Sequence, residues 1–189
     1  MAYRNLTDID DKMLRAIWQL GARDGVKKVT ARKVAALCGV SDYTVFCHFG
    51  GGNRGFWDAA ARYFFDCQIE PFLSRIEEYR SVGDIWDDAL DTFLCEPDGA
   101  TYFLLYRTAF GLSPELFPME KLRKIGRVLT ASMPPMNDEE RLVQVDLFFS
   151  LLFSYTERLS RGEVSNATSL RAFLRALICR SFCEAESAT

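Results

Sequence analysis

The sequence predicts an all-α chain, on three observations. Apolar residues recur every three or four positions in segment after segment, as Met13, Leu14, Ile17 and Leu20 do, which lines one face of a helix. No stretch alternates apolar and polar residues as a half-buried strand does, and there is no internal repeat or low-complexity run. Gly, Pro and capping residues divide the chain at helix-length intervals. About nine helices are expected: a three-helix N-terminal domain containing a helix-turn-helix over residues 1–58, then a second helical domain over residues 59–189.

Taken in order, Thr7-Asp8-Ile9-Asp10 has the form of a capping box with Asp in place of the usual Glu, and opens an amphipathic helix that ends near Gly25. Thr30 caps a second helix with Val34, Ala35 and Leu37 on its apolar face, and Gly39 suits the left-handed backbone that ends it. Ser41 caps a short third helix reaching about His48. After the glycine run Gly50-Gly51-Gly52, Phe56 begins a long helix to about Tyr79, kinked near Pro71, which has no N–H to give. Ser81-Val82-Gly83-Asp84 is a break with Asp84 capping a helix to about Cys95, and Glu96-Pro97-Asp98-Gly99 has the residues of a turn. An aromatic segment follows from Thr101 to Gly111, then an element opening at Ser113-Pro114. A basic helix runs from Glu120 to Ser132 and is closed by Pro134-Pro135. Asn137 or Asp138 caps a long helix to Arg161, and Asn166 or Thr168 opens the last, which ends near Glu184.

Residues 29–49 are the most informative stretch. Two short capped helices meet at Gly39, and Ala35 is small enough to let them approach closely near the turn. In a helix-turn-helix the first of these crosses the DNA backbone and the second enters the major groove. On the second helix Val45 and Phe49 are apolar anchors, leaving Asp42, Tyr43, Thr44, Cys47 and His48 outside. Thr44 and His48, four apart, share a face and are placed to reach phosphate oxygens. Tyr43 is placed for a base edge or a thymine methyl, and Arg32 for a bidentate contact with guanine. Spacing alone leaves a plain helical hairpin open as the alternative.

These residues resemble the DNA-binding domain of the TetR (tetracycline-repressor) family of transcription regulators. The matching parts are Thr30-Ala31-Arg32-Lys33-Val34-Ala35, Gly39-Val40-Ser41 and Thr44-Val45-Phe46-Cys47-His48-Phe49, with Leu14-Arg15-Ala16 and Leu20-Gly21-Ala22-Arg23-Asp24-Gly25 resembling the family's first helix. The resemblance spans roughly residues 8–60. It implies a regulator that binds a palindromic double-stranded DNA operator as a homodimer, most commonly a repressor released by a small-molecule effector. Two positions depart from the family pattern. Phe46 stands where a Tyr hydroxyl usually reaches a phosphate, and the segment 50–57 lacks the usual Lys, leaving Arg54 to supply its charge. The candidate DNA-contacting set is therefore Thr30, Arg32, Ser41, Asp42, Tyr43, Thr44, Phe46, His48 and Arg54.

The charge is distributed in keeping with that set. The chain carries −3 overall, but residues 1–60 hold nine Lys/Arg against six Asp/Glu, a balance of +3, and the remainder fourteen against twenty, a balance of −6. No apolar run is long enough to span a membrane and the polar N-terminus is unlike a signal peptide, so a cytoplasmic chain is expected. The six cysteines include no CxxC pair and there is a single His, so neither a metal site nor a cofactor is expected. Cys38 and Cys67 fall on apolar faces and are expected to be core thiols. Cys179 and Cys183, one turn apart, fit packing better than a disulfide. Nor is an enzyme expected: Cys47 and His48 are neighbours on a helix and point about 100° apart, so they do not form a nucleophile–base pair.

The last two helices are apolar over a wide arc, from Leu142 through Tyr155 and from Leu170 through Phe182. A helix of that kind buries one side in its own core and the other against something further. A second copy of the chain fits, and the resemblance implies the same pairing of the last two helices in a homodimer. Phe149, Phe153, Leu170, Phe173, Leu174 and Leu177 are the candidate interface. The resemblance also implies an effector pocket in the second domain, for which Trp86, Phe103, Tyr106, Arg107, Phe110, Phe148 and Tyr155 are candidates, with Glu157 and Arg107 orienting a polar group. Aromatic residues at helical spacing are equally the pattern of plain core. The alternative function is a dimeric helical interaction protein of the same fold with weak or lost DNA binding.

Overall fold

The computed structural model describes residues 8–50, 52–76, 78–111, 119–131, 133–163 and 168–183. The helices are α1 (Asp8–Asp24), α2 (Ala31–Cys38), α3 (Asp42–Phe49), α4 (Gly52–Phe64), α5 (Glu70–Ser74), α6 (Val82–Leu94), α7 (Pro97–Phe110), α8 (Met119–Leu129), α9 (Asp138–Ser160) and α10 (Thr168–Cys183). A 3₁₀ turn, Val26–Lys28, precedes α2, and a π-helical stretch, Phe65–Ile69, joins α4 to α5. Among the described residues every regular element is helical, and with α4, the π stretch and α5 taken as one there are nine.

The chain divides into two compact units, residues 1–67 with 98–112 and residues 68–97 with 113–189. The first unit thus reaches past residue 58 and includes α7, which the sequence division assigns to the second. Its core is aromatic. Trp18 of α1 stacks on Tyr63 at 5.1 Å and meets Phe64 edge-on, while its indole N–H donates to the Ala60 carbonyl at 2.9 Å. Tyr102 of α7 donates to the Trp57 carbonyl at 2.9 Å. Two glycines allow this packing. A Cβ at Gly21 would lie 2.3 Å from the Tyr102 ring, and one at Gly99 would lie 2.8 Å from Phe64 and 3.0 Å from Trp18. The expected turn at residues 96–99 is instead the start of α7, where Pro97 needs no N–H partner and Gly99 is selected by close approach.

The second unit packs α5, α6, α8, α9 and α10. Phe72 and Phe149, Trp86 and Phe148, and Phe93 and Phe153 meet edge to face. An ionic ladder ties α10 to α6: Arg171 reaches Asp91 at 2.7 Å, and Arg175 reaches Asp87 at 2.7 Å and Asp84 at 3.3 Å. Asp84 therefore serves Arg175 and does not cap α6. The cap is Ser81, whose Oγ accepts from the Asp84 backbone N–H, so the helix starts earlier than its sequence suggests. Asn137 caps α9 in a complete capping box with Glu140, as one of the two expected positions. Thr7, Ser113-Pro114, Ser132 and Asn166 lie outside the described residues.

The long helix after the glycine run differs from expectation at three points. It starts at Gly52, it widens to a π-helix just before Pro71, and it stops at Ser74. A proline ring collides with the carbonyl four residues back, and the wider π turn moves that carbonyl away. The altered register leaves Cys67 exposed where an apolar face is expected, whereas Cys38 is buried as expected. Beyond the helix end, the Tyr79 hydroxyl donates to the Asp88 carboxylate, which also pairs with Arg75 at 2.7 Å.

Candidate nucleic-acid interface

The helix-turn-helix is assembled from local signals. The Thr30 side chain accepts from the Lys33 N–H at 3.4 Å and opens α2. Gly39 ends α2 at φ 73°, a left-handed conformation that a side chain would strain. Ser41 Oγ accepts from the Thr44 N–H at 3.0 Å and opens α3. Lys12 of α1 donates to the Cys38 carbonyl at 2.9 Å, satisfying the C-terminal end of α2. Trp57 of α4 donates to the Val29 carbonyl at 3.1 Å, fixing the approach to α2. Val34 and Val45 are fully buried and pin the two helices from beneath. Gly50, at φ 64°, turns the chain from α3 into α4, and a Cβ at Gly55 would lie 2.0 Å from the Gly50 carbonyl oxygen.

The outward side chains fall into two groups. Tyr43 is 75% exposed and Phe46 40%, and Cys47 is exposed beside them. The neighbouring Cys47 side chain pushes the Tyr43 hydroxyl pKa up. Arg32 and Lys28 are exposed, with no side-chain partner among the described residues. The second group is engaged within the chain. The Ser41 and Thr44 hydroxyls bond each other at 2.8 Å, and Asp42 accepts from the Tyr43 N–H at 3.0 Å. His48 Nδ1 contacts the Asp10 carboxylate of α1. Lys33 pairs with Asp24 at 3.2 Å, and the Arg23 guanidinium beside Asp24, with Lys33, holds that carboxyl well below the usual range.

Arg54 is the most committed of all. It pairs with Asp58 at 2.5 Å, donates to the Tyr106 hydroxyl at 3.0 Å and lies 4.2 Å above the Phe110 ring. Partial burial pulls its pKa down, and Asp58 and Tyr106 together outweigh that and raise it. Tyr106 in turn donates to Asp58 at 2.6 Å, and burial followed by that bond pushes its pKa up to about 12. The sequence places Arg54 and His48 at phosphate-reaching positions, and in the structure both stay exposed but are engaged by partners within the chain. The Arg54–Asp58 pair is one helical turn apart and legible in the spacing, whereas the His48–Asp10 contact and the Arg54 contacts with Tyr106 and Phe110 span long sequence separations that spacing does not encode.

No family model and no curated protein matches the sequence. Solved structures do. The chain aligns with a TetR-like transcriptional regulator from Rhodococcus sp. RHA1 at a TM-score of 0.67 and 15% identity, covering 96% of this chain and 98% of that one. A TetR family transcription regulator from Marinobacter aquaeolei VT8 aligns at 0.69 and 14%, covering 90% and 93%. The fatty acid degradation regulator FadR from Bacillus halodurans aligns at 0.69 and 14%, covering 93% and 97%. The chain has the TetR fold. The all-α expectation and the family resemblance agree with that fold over nearly the whole length.

Within the TetR fold the remaining candidates separate. Phe103, Tyr106, Arg107 and Phe110 belong to the first unit, and Trp86, Phe148 and Tyr155 to the second. Tyr106 and Phe110 are occupied with Arg54. Arg107 is half-buried, which pulls its pKa down. Trp86 and Phe148 are fully buried, and Glu157 pairs with Arg161 at 2.7 Å. A cavity of about 200 Å³ in the second unit is lined by Glu70, Leu73, Ser74, Ile76, Lys124 and Ile125, none of them expected. Of the interface candidates, Phe149 and Phe153 are buried in the core of a single chain, because each faces α5 or α6. Phe173 and Leu177 are exposed, Leu174 is half-buried, and the side chain of Leu170 lies outside the described residues. On α9 the exposed apolar residues are instead Val143, Leu147 and Leu151, four positions apart, of which Leu147 and Leu151 belong to the wide apolar arc of the sequence but not to the six interface candidates. That spacing was the available signal. Among the described residues no helix is long and apolar enough to cross a membrane.

Proposed function

We propose that the chain is a transcriptional regulator that binds a palindromic DNA operator as a homodimer, represses, and is released by a small-molecule effector in the cytoplasm. The observation that carries this reading is the α2–α3 helix-turn-helix, capped at each start and turned at Gly39, with Tyr43 and Phe46 exposed on α3 and Arg32 exposed on α2. The likeness to regulators of the TetR fold supports it. Thr30, Ser41, Asp42 and Thr44 act mainly by fixing the helix starts, where backbone N–H groups can meet phosphates. Arg32 and Lys28 supply charge.

The homodimer rests on the apolar side chains left in water on the last two helices: Val143, Leu147 and Leu151 on α9, Phe173 and Leu177 on α10. Two-fold pairing there would present two copies of α3 to one face of DNA. The effector site rests on two buried groups without a hydrogen-bond partner among the described residues, Trp86 Nε1 and the Tyr155 hydroxyl. Each such group costs about 1–3 kcal/mol, which a polar atom of a ligand would recover. Trp86, Phe148 and Tyr155 are thus the effector candidates retained.

The test is selection of binding sites from random duplex DNA, followed by mobility shifts at two salt concentrations. A sequence-preferring complex with two chains per site, weakening as salt rises, is expected. If no such complex forms, the dimeric interaction protein with lost DNA binding becomes the better reading.

A further inference from the structure

Resting on the operator reading above, we infer that α3 reads thymine methyl groups, with Tyr43 and Phe46 as the specificity-determining residues, so that the operator half-site is rich in A·T pairs. The inference comes from what the outward face of α3 offers. With Val45 buried beneath, Tyr43, Phe46 and Cys47 occupy the opposite side, at the i, i+3 and i, i+4 spacing that makes them neighbours. None is an Arg, Lys, Asn or Gln, the side chains that grip guanine or adenine edges through paired hydrogen bonds. The polar residues that flank this face are already engaged: Asp42 with the Tyr43 N–H, Thr44 with Ser41, and His48 with Asp10. An apolar aromatic surface entering the major groove has one distinctive partner there, the C5 methyl of thymine, since the other base-edge groups are hydrogen-bond donors and acceptors.

The exposure is unusual for a structural role. Tyr43 and Phe46 lie outside the core, and α3 is held without them by Val45, the Ser41 cap and the His48–Asp10 contact. Phe46 also lacks a hydroxyl, so in the groove it contributes contact alone.

The experiment uses the full chain and the site selected from random duplex DNA. Each thymine of a half-site is replaced in turn by deoxyuridine, which removes one methyl and keeps every hydrogen-bonding group. One or two replacements per half-site are expected to weaken binding by about fourfold each, the value of burying one methyl-sized group. Phe46→Ala and Tyr43→Ala should each erase the thymine–uracil difference at one position. A selected site that tolerates deoxyuridine everywhere overturns the inference while leaving DNA binding intact. Failure to select any site removes the operator reading and this inference with it.

Discussion

Replacing Gly21 by Ala should destabilise the chain, although helix propensity alone favours the change by about 1 kcal/mol. Gly21 is in the body of α1, where the new Cβ would lie 2.3 Å from Cδ2 and 2.7 Å from Cε2 of Tyr102. Carbon atoms in contact sit about 3.5–4.0 Å apart, so the ring must shift by roughly 1 Å. Tyr102 is poorly placed to do so. It is fully buried, its hydroxyl donates to the Trp57 carbonyl at 2.9 Å, and it stacks on Tyr106 with centroids 6.3 Å apart. Overpacking costs about 1–3 kcal/mol, and breaking the hydrogen bond about 1 kcal/mol more. After the propensity gain the net loss is about 2 kcal/mol, which for a chain of this size lowers Tm by roughly 4–8 °C. Urea unfolding and thermal melts measure it directly. The Gly21→Ala change should cost much less in a Tyr102→Ala background, giving a coupling of about 1–3 kcal/mol in the cycle. If Gly21→Ala is as stable as the unaltered chain, the approach of α7 to α1 is not what selects glycine here.

Arg32→Ala should either lower the salt dependence of DNA binding by about one unit of slope, if Arg32 holds a phosphate, or relax the preference at one base position by about 1–3 kcal/mol, if it reads guanine; binding unchanged on both counts would remove Arg32 from the interface. Leu147→Glu should convert the proposed homodimer to a folded monomer in sedimentation, and a variant that stays dimeric would move the interface elsewhere. Tyr79 and Tyr106 ionise at about 12, raised by burial and then by their bonds to Asp88 and Asp58. Because the folded pKa lies above the unfolded value of about 10, their contribution to stability is complete below pH about 10 and is lost as pH rises towards about 12. Phenolate absorbance of the folded chain should show Tyr79, Tyr106 and the fully buried Tyr102, whose pKa burial also raises, lagging behind, with one late tyrosine fewer in Tyr106→Phe; tyrosines that all titrate together at about 10 would contradict their burial.

What the sequence made legible is what it encodes locally. Thr30, Gly39, Ser41 and Asn137 each act within a few residues of themselves, and each sits where its chemistry places it. What it concealed depends on partners far along the chain. Gly99 has the surroundings of a turn glycine, and only the proximity of Phe64 and Trp18 explains it. Asp84 has the composition of a cap, and its carboxylate is taken by Arg175, 91 residues away. Phe149 and Phe153 share an apolar helix with Leu147 and Leu151, and the choice between core and surface is made by where α5 and α6 lie. The candidate site divides along the same line: its caps, its apolar anchors and the one-turn Arg54–Asp58 pair are readable, and the contacts of His48 with Asp10 and of Arg54 with Tyr106 and Phe110 are not.

Those contacts bear on how such a helix-turn-helix could hold DNA at all. With Arg54, His48 and Lys33 each paired with a carboxylate of the chain, Arg32 and Lys28 are the cations of the α2 region without a side-chain partner among the described residues. A single copy should then bind a half-site only weakly, with Kd on the order of 10⁻⁵ M, within the range of sequence-independent binding. Joining two copies through α9 and α10, as proposed, would make the second contact intramolecular, at an effective concentration on the order of 10⁻³ M, so that the pair would reach a Kd of about 10⁻⁷ M. The gain of roughly a hundredfold comes from geometry and not from any added contact. It also defines what an effector must do. A ligand that favours a state in which the two copies of α3 no longer match the half-site spacing forfeits that hundredfold without touching a DNA-contacting residue. Leu147→Glu and the effector should therefore weaken operator binding by similar factors, and a monomeric variant that binds the full operator as tightly as the dimer would refute the whole scheme.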